Sequence, residues 1–172
     1  MPGIEFDFDE QSAELAPAIR MLFQTYTDVI PYPHKFNDAL VKAHLNSINF
    51  TINNNLWKEK AEYEAYILAP ILEMISEWVK EKGPDFGLHG MFEATSCNYQ
   101  LFEKIEVRDG ERLLKCPYKE MIEKISVLGT QTVTWEDVHH KWCIPMWTAF
   151  AKKIGIDIEV IPGETCTVRL KK

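Results

Sequence analysis

The sequence predicts an α+β fold, with a helical N-terminal half followed by a four-stranded antiparallel sheet of two hairpins and helices packed on one face. Apolar residues recur at helical spacing in the first half, whereas later segments alternate between apolar and polar residues. Turn signals at Asp109-Gly110 and Pro162-Gly163-Glu164 divide the alternating segments into two hairpins. Because no repeat or linker interrupts the sequence, we expect a single domain over residues 1–172, helical over about 1–85 and hairpin–helix over about 91–172.

Three helical segments are predicted in the first half. The first covers residues 13–30, and the second follows a cap at Asn37 or Asp38. The third spans about Lys58–Lys82. Pro70 is expected to kink this third helix or to start a new one, because proline cannot donate a backbone hydrogen bond.

The second half is predicted to contain four strands and two helices. In chain order these are the strands Thr95–Val107 and Arg112–Lys115, the helices Pro117–Leu128 and Thr134–Ile154, and the strands Ile156–Ile161 and Thr165–Leu170. Thr134 can cap the second of these helices, and Glu136 and Asp137 are placed favourably in its first turn. Pro145 is expected to bend that helix.

The composition limits the range of partners. Lys and Arg total 19 residues against 26 Asp and Glu, so the net charge is −7, and nucleic acid is not expected as a partner because it requires a basic surface. Charges interrupt every apolar stretch before the length of about 18 residues that a membrane span needs, so no membrane association is expected. The acidic N-terminus lacks the features of a signal peptide, which predicts a cytoplasmic protein. Small-molecule substrates or ligands are the expected partners, and the apolar helices of the first half can supply the face of a homodimer.

Cys116 is the first candidate functional residue, because it lies where a strand-like segment meets a helix-like one. Pro117 fits the first helical position, which places Cys116 at a helix start, where backbone N–H groups and the helix dipole favour a thiolate. A thiolate is both a nucleophile and a metal ligand. In the alternative interpretation, Cys116 is a small apolar residue that fills the joint.

A second cluster lies on the predicted helix Thr134–Ile154. At spacings of four and three residues, Glu136, His140 and Cys143 share one helix face, and His139 is also four residues from Cys143. Such a set can serve a cysteine nucleophile with a histidine base and an orienting acid, or it can bind Zn²⁺ or Fe²⁺. The alternative is an exposed histidine, a histidine in a polar pocket and a cysteine in the core.

Further candidates depend on whether these elements meet in space. Cys97 and Cys166 fall on the inward faces of predicted strands, where cysteines are usually inert core residues unless both strands approach the same helix start. Tyr118 and Trp147 are candidates for the wall of a substrate pocket. His89 is a further candidate for that wall, because it lies between glycines in a loop-like segment.

Four short cysteine-centred motifs occur between residues 91 and 170, and they are Cys97-Asn98-Tyr99, Cys116-Pro117, His139-His140-x-x-Cys143 and Gly163-Glu164-Thr165-Cys166-Thr167-Val168. With these motifs the chain resembles the L-2-amino-thiazoline-4-carboxylic acid hydrolase family and, more faintly, the vinyl-reductase type of small-molecule-binding domain. The resemblance implies an α+β domain that holds a small molecule in a cysteine-lined pocket. The hydrolase resemblance implies opening of a thiazoline C–N bond by water, and the other implies binding or sensing of a small molecule, in some cases with a metal.

The first hypothesis is therefore a hydrolase that acts on a C–N bond of a cyclic amidine or amide. Its nucleophile is Cys116, its general base is His140 or His139, and its orienting acid is Glu136 or Asp137. The hydrolase pattern, however, has an acidic residue after a cysteine in the second helix, whereas here the acidic pair precedes the histidines.

The alternative hypothesis is a metal-binding small-molecule sensor or accessory protein without turnover. Its candidate Zn²⁺ or Fe²⁺ ligands are Cys116, His139, His140, Cys143 and Cys166. A third interpretation is a helical interaction protein whose cysteines belong to the core.

Overall fold

The computed structural model describes residues 15–21, 35, 37–95, 98, 101–102, 104–126, 129 and 132–171. The chain divides into two compact units, Met1–Ala39 and Leu40–Lys172. The sheet, the cysteines and the cavities discussed below all belong to the second unit. Among the described residues, no helix is both long enough and apolar enough to cross a membrane.

The described elements confirm the predicted α+β fold. The helices are α1 (15–21), α2 (Asp38–Asn53), α3 (Trp57–Ile67), α4 (Ala69–Lys82), α5 (Asp85–Leu88), α6 (Tyr118–Ser126), α7 (Trp135–Val138) and α8 (Ile144–Ile154). Two π-turns follow short helices, the first π-turn at His89–Glu93 and the second at His139–Cys143. The strands are β1 (Ile105–Arg108), β2 (Glu111–Lys115), β3 (Ile158–Ile161) and β4 (Thr165–Leu170).

The sheet joins the two predicted hairpins through their inner strands. Its strand order is β1-β2-β4-β3, and every neighbouring pair is antiparallel. Leu114 is the register partner of Cys166, and Arg112 is the partner of Val168. These four side chains share the buried face of the sheet, with exposures of 8% or less. The alternation of period two therefore gives the sheet one face toward the helices, as the sequence predicts.

The predicted strand Thr95–Val107 is wrong over most of the part that the structure describes, and residues 96, 97, 99, 100 and 103 lie outside that part. Only Ile105 and the residues after it pair with β2, whereas Asn98 and Leu101 have helical backbone and are buried. The Thr95 hydroxyl donates to the carbonyls of residues 90 and 91, and the Asn98 amide also donates to the carbonyl of residue 91. These local hydrogen bonds occupy the segment at the end of the first π-turn and compete with strand pairing.

The two proline sites differ in outcome. Pro70 lies in the first turn of α4, so it starts a new helix after a break at Leu68, as one of the two predictions states. Pro145 lies in the first turn of α8, immediately after the second π-turn. Because proline cannot donate to the carbonyl four residues earlier, a widened turn rather than a simple bend precedes it.

A buried guanidinium links the sheet to the helical layer. Arg112 on β2 is 1% exposed, and its Nη1 and Nη2 atoms donate to Asp85 at 3.0 and 3.1 Å. Its Nε atom donates to Glu93, and Nη1 also donates to the carbonyls of Arg108 and Glu111. Hydrogen bonding from Arg112 lowers the pKa of Asp85, with burial opposing the shift. Asp85 is therefore ionised at neutral pH and forms a bidentate ion pair.

We predict that Arg112→Leu lowers the free energy of unfolding by about 3 kcal/mol, because it leaves the largely buried Glu93 carboxylate without its cation. Urea denaturation of the purified variant measures this loss. The matched control is Arg169→Leu on the neighbouring strand β4, where an exposed arginine pairs with Glu159 and contributes less than about 1 kcal/mol. Equal stability losses in the two variants would contradict a linking role for Arg112.

Candidate functional site

Three side chains from separate elements meet at the end of the buried sheet face, and we name Cys116, His139 and Cys166 the thiol–imidazole cluster. Their ligand atoms all lie within 4.8 Å of one another. The Nε2 atom of His139 is 3.9 Å from the Cys116 sulfur, and its Nδ1 atom is 3.9 Å from the Cys166 sulfur. All three residues are buried, with exposures of 8%, 2% and 8%.

Strand pairing explains why the two cysteines meet. Cys166 is opposite Leu114 in the ladder, and the Cys116 backbone N–H extends the ladder by donating to the Glu164 carbonyl at 2.9 Å. Cys116 and Cys166 are thus diagonal neighbours on the same face, a separation that side chains can span. The conformation then changes, because α6 begins at Tyr118. The predicted helix start beside Cys116 is confirmed, with Pro117 before the first turn rather than within it.

The helix cap places the imidazole above the thiols. Thr134 and Asp137 form a capping box, in which each side chain accepts a hydrogen bond from the other residue's backbone N–H at 3.1 Å. The predicted Thr134 cap is therefore confirmed. Four residues into the helix, the second π-turn begins at His139, and the backbone N–H of Ile144 closes it by bonding the His139 carbonyl.

Trp135 contacts two members of the cluster, Cys116 and His139. It is not among the site residues that the sequence predicts. Its indole Nε1 donates to the Cys116 sulfur at 3.3 Å. Its ring packs edge-to-face on His139, with ring centres 4.7 Å apart at 76°. The signal that could have identified it is its position four residues before His139, which places the two side chains on one helix face.

Hydrogen bonds in the cluster stabilise a thiolate on one cysteine only. The hydrogen bond with Cys166, together with those from His139, Trp135 and the Tyr118 backbone, lowers the pKa of Cys116 to about 4, although burial opposes the shift. The same hydrogen bond and burial raise the pKa of Cys166 far above its usual range, so Cys166 remains the S–H donor. Burial likewise raises the pKa of Cys143. Cys116 is therefore the cysteine of the cluster that carries the thiolate.

The space beside the cluster is small. A cavity of about 10 Å³ lies between the cluster cysteines, Cys143, Tyr118 and Trp147, which is enough for at most one water molecule. Tyr118 and Trp147 therefore lie beside Cys116, whereas their role in the wall of a substrate pocket stays a prediction. The Tyr118 hydroxyl is 3.2 Å from Nδ1 of His44.

Three residues of the expected catalytic set, Glu136, Asp137 and His140, lie outside the cluster. The Asp137 carboxylate pairs with Lys141 at 2.8 Å. Glu136 and His140 do share a helix face, but that face is exposed to solvent. In an α-helix, Cys143 would follow on the same face, whereas the extra residue of the second π-turn moves Cys143 into the core. The grouping of Glu136, His140 and Cys143 is therefore wrong, and His139 is the histidine that approaches the thiols.

Cys143 lines the small cavity, although it is outside the group of mutually adjacent ligand atoms in the described residues. His89 is not among the described residues that line the small cavity. Its Nδ1 atom is 3.2 Å from Glu93, and its ring packs near Trp78 and Phe86, so it belongs to the Arg112 network. The remaining expected pocket residue, Cys97, lies outside the described residues.

No protein-family model matches the chain, and no curated protein and no solved structure shows a significant similarity to it. The resemblance that the cysteine-centred motifs suggest therefore stays a prediction. The geometry of the thiol–imidazole cluster is therefore the observation that bears on function.

We predict that the Cys116 thiol of metal-free protein ionises as the pH rises through about 4. A thiol in the unfolded chain ionises only near pH 8.5, so a step at low pH reports the folded cluster. The ultraviolet absorbance of the thiolate measures this step. Cys166→Ala removes the largest stabilising hydrogen bond and should move the step toward higher pH, while Cys143→Ala, which removes another buried thiol, should leave it in place. A step that is insensitive to Cys116→Ser would contradict the assignment.

Proposed function

We propose that the thiol–imidazole cluster binds one Zn²⁺ ion, with Fe²⁺ as the chemically related alternative. The observation that supports this proposal is the mutual approach of two sulfur atoms and an imidazole within 4.8 Å in a buried place. Thiolate and imidazole are the ligands that zinc prefers in proteins. Burying a thiolate is costly, and a divalent ion would neutralise its charge.

The distances in the cluster fit such an ion after a small contraction. With zinc–sulfur bonds near 2.3 Å and zinc–nitrogen bonds near 2.0 Å, tetrahedral geometry places sulfur and nitrogen about 3.5 Å apart. Each sulfur is 3.9 Å from one of the two ring nitrogens, Cys116 from Nε2 and Cys166 from Nδ1, and the set with one ligand atom per residue lies within 4.8 Å. One imidazole cannot ligate the ion through both nitrogens, so His139 would turn to present either Nδ1 or Nε2. Ion binding would displace the Cys166 proton, because the thiolate is the ligand.

Residues around the cluster would act on the bound ion indirectly. The Trp135 N–H already donates to the Cys116 sulfur, a contact that orients a ligand and tunes its charge. Three protein ligands leave a fourth coordination position, as in catalytic zinc sites, where the ion acts as a Lewis acid. The space of about 10 Å³ beside the cysteines suits a water molecule but does not admit an organic substrate.

This restricted space favours a metal-binding sensor or accessory protein over turnover at Cys116. An ion at the cluster would connect the end of β2, the strand β4 and the second π-turn, which are three separate parts of the chain. Ion binding would therefore stabilise the native state in the way that structural metal sites do. A sensor requires that this stabilisation change with the metal concentration.

We predict that protein purified without an affinity metal, and then exposed to zinc, binds about one Zn²⁺ per chain. At free zinc a hundredfold above the dissociation constant, the ion should stabilise the fold by about 3 kcal/mol, which thermal unfolding with and without chelator measures. Co²⁺ gives a second readout, because a cobalt–thiolate bond has its own charge-transfer absorbance.

The variants separate ligands from neighbours. Cys116→Ala, His139→Ala and Cys166→Ala should each abolish stoichiometric binding, and Trp135→Phe should weaken it about tenfold. The matched control is Cys143→Ala, which removes a buried cysteine next to the cluster and should retain full binding. Binding that survives Cys166→Ala, or that is lost in Cys143→Ala, would overturn the proposed ligand set.

The second candidate function is the C–N hydrolase, and the contact of His139 with Cys116 favours it. In this reaction the Cys116 thiolate adds to the carbon of a cyclic amidine or amide, and the ring C–N bond breaks. The departing nitrogen takes a proton from protonated His139. The neutral imidazole then deprotonates a water molecule, which releases the product from the sulfur. The substrate would have to displace Tyr118 or Trp147, because both close the space beside the sulfur.

For the hydrolase, we predict that Cys116→Ala abolishes turnover of thiazolines and other cyclic amidines, and that His139→Ala lowers kcat at least about a hundredfold. Product analysis by mass spectrometry, on metal-free and on zinc-loaded protein, measures this. His140→Ala is the control, since its side chain is exposed and turnover should not change. Turnover that is unaffected by Cys116→Ala would exclude this candidate and leave metal binding as a separate question.

A further inference from the structure

A large cavity lies in the helical layer of the second unit, and its lining residues do not include the thiol–imidazole cluster. Its volume is about 410 Å³, which is within the usual range of small-molecule sites. Helices α2, α3, α4 and α8 and both π-turns contribute to its wall. Most of the described lining is apolar and buried, and the principal side chains are Leu72, Ile75, Met91, Met146, Trp147 and Phe150.

The first π-turn helps to form this cavity because it packs unusually close to α4. A Cβ atom at Gly90 would lie 2.5 Å from Cγ2 of Ile75, so only glycine fits there without displacement. Gly90 and Ile75 both line the cavity. The wall is thus made of tightly packed elements rather than of a loose loop.

The charges around the cavity disfavour an anionic ligand. Among the described lining residues, Glu64 is the single acidic side chain, and Lys and Arg do not occur. Glu64 is itself paired with Lys60 at 2.5 Å. Burial lowers the pKa of His44 more than Glu64 raises it, so the imidazole is neutral at neutral pH. A carboxylate or phosphate would therefore meet no positive partner in the wall.

We propose that this cavity binds an uncharged, predominantly aromatic small molecule. The rings of Trp147 and Phe150 supply aromatic contacts, and Met91 and Met146 adapt their shape to the ligand. The proposal does not depend on metal binding, because the cluster residues are not part of this wall. A binding experiment on metal-free protein therefore tests it alone.

The test uses three naphthalene probes of similar size on the full-length, metal-free chain. Acetylnaphthalene has an acceptor, ethylnaphthalene has none, and naphthoate has a negative charge. Tryptophan fluorescence and calorimetry should both show saturable binding of acetylnaphthalene at one site. Ethylnaphthalene should bind at least as tightly, because the wall is mostly apolar, whereas naphthoate should bind at least about tenfold more weakly. Absence of saturable acetylnaphthalene binding, or tightest binding of naphthoate, would overturn the proposal.

Two variants locate the probe. Ser47→Phe places a ring into the cavity and should abolish binding, whereas the matched control Asn46→Phe adds the same ring at an exposed neighbouring position and should not. If circular dichroism shows that Ser47→Phe does not fold, Ala43→Trp, at an exposed lining position, fills the cavity instead. Equal binding by a folded filling variant and by Asn46→Phe would overturn the location.

Discussion

The Arg112 guanidinium determines how the helical layer lies on the sheet. It occupies an inward position on β2 where an apolar side chain would ordinarily be expected, and it reaches Asp85 and Glu93 near the two ends of the segment formed by α5 and the first π-turn. Asp85 also accepts a hydrogen bond from the Gly110 N–H at 2.9 Å, which ties the first hairpin turn to the same group. A buried ion pair adds little stability against a well-packed apolar alternative, but it is satisfied in one geometry only. We therefore interpret the network as a device that selects one arrangement of the two layers.

The two π-turns decide which side chains reach the interior. Each begins with a histidine and is closed by a hydrogen bond spanning five residues, from Ala94 to His89 and from Ile144 to His139. The additional residue rotates the rest of the helix relative to an α-helical count. In the second π-turn this moves Cys143 into the core, whereas His139, at the start of the turn, keeps its α-helical position on the same face as Trp135. Pro145 promotes this local departure from regular helix because it removes one backbone donor.

Local sequence signals predicted much of the fold, because turns and periodicity are local properties. Asp109-Gly110 and the alternation over Thr165–Leu170 identified both hairpins, and Thr134 identified a helix start. The failures arise where distant contacts or side-chain hydrogen bonds decide the structure. Nothing in the local pattern shows that β2 pairs with β4, so the meeting of Cys116 with Cys166 was an open possibility rather than a prediction. The burial of Arg112 could likewise not be predicted from the sequence, because a lone arginine in a strand is usually exposed.

The thiol–imidazole cluster and the large cavity are separated by very few side chains. Trp147 borders both spaces, and Tyr118 lies against the thiols while its hydroxyl contacts His44 in the cavity wall. Any ligand that moves the Trp147 ring or competes for the Tyr118 hydroxyl would alter the packing around the cluster sulfurs. Coupling between two binding equilibria is reciprocal. If a cavity ligand changes the affinity of the cluster for an ion, the bound ion changes the affinity of the cavity for that ligand by the same factor. The proximity of these two sites, rather than either site alone, makes a metal-dependent small-molecule sensor physically coherent.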